Sequence, residues 1–175
     1  MAFHHTRIVL YVILWLFSLV LLGLTADRLY YTTHLKRNDP LHDGINFYDP
    51  IIVELMVTSA LMLFWIPYIV HVIHGVHEKR VLYRFRGEII GLFVLWVMWL
   101  VGAAYATSLW PDLSWCHQYR PCRILTTLVA FAWMGWIILT IILLATVLFA
   151  WSNRAFNEPL HGRWNPRASV FRSRA

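Results

Sequence analysis

Four long apolar segments separated by polar stretches dominate the chain. The first runs from about Ile8 to Ala26, with no charged residue between Arg7 and Asp27. The second runs from about Ile51 to Ile73 and admits one carboxylate, Glu54, near its start. The third covers about Ile89 to Leu109, and the fourth about Ile124 to Trp151. Each reaches the roughly 20 residues needed to cross about 30 Å of hydrocarbon at 1.5 Å per residue. Apolar side chains surround every segment instead of forming one stripe, so an amphipathic soluble helix does not fit. Lipid offers no partner to free backbone groups, which leaves helices as the spanning structure. The pattern predicts an all-α polytopic membrane protein, a four-transmembrane-helix bundle over residues 1–151. A basic, flexible cytoplasmic tail over 152–175 follows, carrying Pro159 and Pro166. The first segment is longer than a secretory h-region, and Leu24-Thr25-Ala26 is a poor small-x-small site, so it is expected to stay as a helix.

Composition points the same way. Of the 175 residues, 59% are hydrophobic and only 14% charged, where soluble domains carry about 25% charged residues. The placement of the fifteen Lys and Arg then sets an orientation. Arg7 precedes the first segment; Lys79, Arg80, Arg84 and Arg86 lie between the second and third; Arg154, Arg163, Arg167, Arg172 and Arg174 lie in the tail. These ten face five on the other side: Arg28, Lys36, Arg37, Arg120 and Arg123. The positive-inside rule therefore puts both termini in the cytoplasm. Lys79, Arg80, Arg84 and Arg86 fall against the inner leaflet, where each gains about 1 kcal/mol near anionic lipid. Such flanking cations point to anionic lipid as a partner and not to nucleic acid. No Asn-x-Ser/Thr acceptor occurs, so the outer loops are not expected to carry N-glycans.

Few residues carry candidate chemistry. Cys116 and Cys122 both fall in the short third loop, on the outer side, where an oxidising compartment favours a disulfide. Their bond would close a ring of seven residues, a constraint of about 2.4 kcal/mol in the chain-entropy model. The alternative is a pair of reduced thiols; the spacing is not that of a C-x-x-C redox motif. His71, His74 and His77 repeat at the end of the second segment but sweep too wide an arc to share one ion easily. The first, third and fourth segments hold no histidine, which argues against a haem held between facing helices. No cofactor is expected. Glu54 is the main ionisable group inside a span, and such residues are functional candidates by default. It lies one turn in, near Arg28 and Arg123 at the ends of neighbouring segments, and is read as part of a rim ion pair with them. Pro67 is expected to bend its helix. Gly102 and Ala106 make a small-xxx-small face, assigned to packing between the third and fourth helices and open to self-association.

The stretch Trp115-Cys116 through Cys122-Arg123, followed by Ala130-Phe131-Ala132-Trp133-Met134-Gly135-Trp136, resembles the outer cysteine loop and last helix of MARVEL-type membrane proteins, fungal members in particular. The opening Arg7-Ile8-Val9-Leu10 also fits, and the resemblance covers about Arg7 to Trp151; the loop from Asp27 to Pro50 has no counterpart in it. It implies a non-enzymatic protein that organises membrane domains or acts in membrane apposition and vesicle trafficking, in the plasma membrane or secretory pathway, as a homo-oligomer or with other membrane proteins. The alternative is a small oligomeric transporter, channel or accessory subunit, with Glu54 as its ion-sensing group. A third reading, a membrane enzyme or redox protein, would have to use the histidines or the cysteines.

Overall fold

The computed structural model describes residues 2–35, 45–74, 85–111 and 118–152. They form four α-helices: α1 (Ala2–Thr33), α2 (Pro50–His74), α3 (Phe85–Leu109) and α4 (Arg120–Ser152). All four are long and apolar enough to cross a membrane, and the chain is a multi-pass helical membrane protein. Each helix packs against its neighbours in sequence, and α1 closes the ring against α4. The bundle is thus up-down-up-down, with α1 facing α3 and α2 facing α4 across the two diagonals.

The helices overrun the apolar segments. α1 continues through both Arg7 and Arg28, because each guanidinium finds a carboxylate inside the protein instead of ending the span. α2 begins on Asp49-Pro50. The Asp49 carbonyl accepts from the amides of Ile52 (3.0 Å) and Val53 (3.4 Å), and proline suits a first-turn position where no partner is needed for its missing N–H. Pro121 opens α4 in the same way.

Several hydroxyls inside the spans bond to their own helix. Ser18 and Thr25 donate to the carbonyls four residues back, at 2.8 and 2.9 Å, and Ser59 donates to Met56 at 2.9 Å. Pro67 sits within α2 and leaves the Leu63 carbonyl without its helical donor. The Trp15 indole of α1 donates to that carbonyl at 3.4 Å, so the defect in one helix is closed by its neighbour.

The α3–α4 seam is built from tryptophans. Trp99 is fully buried, donates to the Ala132 carbonyl at 2.8 Å, and lies over Gly135, where any Cβ would collide with its ring. Trp96 donates to the Thr140 hydroxyl (2.8 Å) and Trp133 to the Thr107 hydroxyl (2.9 Å), a reciprocal pair of bonds across the seam. Gly102 does not face α4. The space beside it is filled by Glu54 and Leu55 of α2, and Ala103 and Ala106 are fully buried. The small face of α3 is therefore consumed within the chain, against α2, and is not open to self-association.

Candidate functional site

Ionisable side chains gather at the two ends of the bundle. At the end where α1 and α3 begin, Arg7 Nη2 donates to Glu88 Oε2, and the Tyr11 hydroxyl donates to Glu88 Oε1. Arg7 also lies over the Tyr11 ring, 5.9 Å from its centroid. Arg7 is 2% exposed, Glu88 and Tyr11 not at all. This cluster spans the α1–α3 diagonal and so ties together two helices that scarcely pack against each other. It closes that end of the bundle with a base, an acid and a phenol that answer one another.

At the opposite end, Arg28 of α1 pairs with Asp49 just before α2, Nη2 to Oδ2, at 3.6 Å. The described residues next to this pair are tied to one another as well. The Phe47 amide donates to the Thr32 carbonyl at 3.0 Å, and the Leu35 amide donates to Asn46 Oδ1 at 2.9 Å. Arg28 does take part in a rim ion pair, but its carboxylate is that of Asp49 and not of Glu54.

Glu54 is placed differently. Its Oε1 accepts from the Thr58 hydroxyl at 2.8 Å. Its Oε2 is buried against Gly102 with no hydrogen-bond donor. No guanidinium or ammonium pairs with it among the described residues. Arg123 is exposed in the first turn of α4, across the bundle from α2, and likewise has no carboxylate partner among the described residues.

The other sequence candidates fall where the chain is less fully described. Cys122 is half-buried in the first turn of α4, and no free cysteine occurs among the described residues; Cys116 lies outside them. Lys79, Arg80 and Arg84 also lie outside the described residues, and Arg86 is described only as a backbone position of α3. His71 is exposed on α2, and among the described residues no group of three or more His, Cys, Asp or Glu stands where it would hold a metal ion.

The sequence reading missed the Arg7–Tyr11–Glu88 cluster. Glu88 sits one residue before the third apolar segment and Arg7 one residue before the first; the sequence reading weighs Arg7 as an orienting cation and gives Glu88 no role. The available signal was the opposite signs of the two, at the starts of segments that run in the same direction. No family model, curated protein or solved structure matches the chain.

Proposed function

We propose that the protein is a non-enzymatic membrane organiser of MARVEL-like type, acting in lateral membrane domains, membrane apposition or vesicle trafficking. Both termini face the cytoplasm, and Cys116 and Cys122 join in a disulfide on the outer side. The observation that carries this reading is how the buried polar groups are spent. Arg7, Tyr11 and Glu88 close on one another at one end, and Arg28 and Asp49 pair at the other. Between them the core is largely apolar, with Leu14, Leu21, Met62, Trp99 and Leu139 buried beside small hydroxyl residues such as Ser18, Thr58 and Thr146. At most 39% of any span is buried inside the bundle, so the larger surface is offered to lipid and to other membrane proteins.

The basic residues Lys79, Arg80, Arg84 and Arg86 would favour anionic lipid on the inner leaflet. The test is reconstitution into giant vesicles with coexisting ordered and disordered phases, with and without phosphatidylserine. The protein should concentrate in one phase or gather in clusters, more strongly with the anionic lipid. An even distribution of single molecules under all conditions would remove the proposal.

One observation favours a second reading, a small oligomeric transporter or channel: Glu54 places a carboxylate oxygen without a donor inside a span. Ion flux in proteoliposomes that Glu54→Gln abolishes would support it. No flux, or flux indifferent to that change, would discard it.

A further inference from the structure

Glu54 and Arg123 are an acid and a base at this end of the bundle that the described contacts leave without an ionic partner. Glu54 is half-buried at the α2–α3 seam, with Oε2 turned against Gly102 and no donor within reach. Arg123 stands exposed on α4. Antiparallel packing makes α2 and α4 begin at the same end of the bundle, so the acid and the base both lie within about one turn of that end. They do not meet inside one chain: no ion pair joins them among the described residues, and α2 and α4 are not among the closely packed helix pairs. They can meet between chains. Copies inserted by the same rule share one orientation in the bilayer, which keeps the two charges at the same membrane face. An acid on one corner and a base on the opposite corner make a head-to-tail contact that repeats from copy to copy.

We propose that Glu54 of one molecule receives Arg123 of a second, and that this pairing assembles the protein into rows or closed rings. The surfaces around the charges fit a contact between helices. Val53 and Val57 flank Glu54 on the outer side of α2, and Thr127 and Ala130 continue the Arg123 face of α4 with small side chains. Rotation of the Glu54 side chain out of the Gly102 notch presents Oε2 to the guanidinium, whose planar fork suits a carboxylate. A carboxylate in an apolar seam gains most from a cation delivered there, where water competes least. The inference deepens the membrane-organising reading, since it supplies the contact through which copies gather.

The experiment measures energy transfer between donor- and acceptor-labelled carboxyl ends in phosphatidylcholine vesicles. Glu54→Gln alone and Arg123→Gln alone should each weaken association at least about tenfold, the scale for truncating one partner of a desolvated charge pair. An equimolar mixture of the two variants should recover transfer. There the Glu54→Gln copy still offers Arg123 and the Arg123→Gln copy still offers Glu54, so one contact per pair is intact and assembly stops at two. Arg123→Lys should keep most of the association. Because Arg123 is exposed, the Lys and Gln variants leave the fold in place and decide the question even if Glu54→Gln fails to insert. Association unchanged in Arg123→Gln overturns the proposal, as does a mixture that recovers nothing. Loss with Glu54→Gln but not with Arg123→Gln assigns the acid to another cation, such as a lipid amine, and also overturns it. In each of these cases the wild type still associates and the organiser reading stands. A wild type that neither associates nor distributes unevenly removes both.

Discussion

Arg7 and Glu88 are charges that a bilayer disfavours, yet both are buried within a turn of the start of their membrane-spanning segments. What makes them tolerable is mutual neutralisation together with the Tyr11 hydroxyl, so that both carboxylate oxygens have donors. Removing one partner strands the other. Arg7→Ala is therefore expected to lower stability by about 3–5 kcal/mol, the range for breaking a buried pair, whereas Arg7→Met combined with Glu88→Leu should cost less than either single loss. Tyr11→Phe removes one donor only and is expected to cost about 1–3 kcal/mol. Reversible unfolding in mixed detergent micelles of rising dodecyl sulfate content measures all three. A double variant that sums the two single losses would mean the residues act independently and the cluster is not a unit. The sequence held these residues in plain view but not their relation. A charge bordering an apolar run reads as a headgroup residue, and only the fold reveals that two such borders coincide across a diagonal.

The helices themselves were legible because spanning is a property of a single segment: enough apolar residues, whatever their neighbours. Their ends and their faces were not. A helix ends where its charges lose their partners, and Arg28 kept one in Asp49. Faces were hidden because lipid and protein core are both apolar, so the pattern around each helix does not say which side is inside. That is why Gly102 looked suited to α4 while Glu54 and Leu55 of α2 in fact fill the space beside it. The proline of α2 shows how neighbouring helices share backbone needs. Pro67 frees the Leu63 carbonyl and Trp15 takes it up. Trp15→Phe should then cost about 1 kcal/mol. In a Pro67→Ala background the amide at position 67 returns to that carbonyl, and the same tryptophan change should cost clearly less. The coupling between the two, read from a double-mutant cycle in the same micelles, tests the link; strictly additive losses would show that the indole does not serve the proline.

At the scale of the molecule, the structure fixes the relative directions of the helices. α1 and α3 begin at one end and α2 and α4 at the other. Burial changes the weight of the charges used to orient them. Arg7 and Arg28 are both neutralised within the protein, so one cation leaves each side of the count, and the asymmetry rests on the loop after α2 and on the tail. Those residues carry nine of the ten cations assigned inside, which leaves the orientation where it was. In the proposed orientation the third loop, with Cys116 and Cys122, faces outward. A membrane-impermeant thiol reagent applied to sealed cells should label neither cysteine before reduction and both after it. Labelling without reduction would keep the orientation and remove the disulfide. Labelling only after the membrane is permeabilised would reverse the orientation, placing Glu54 and Arg123 at the cytoplasmic face. Their pairing between copies would survive that reversal, because it depends on all molecules sharing a direction and not on which direction it is.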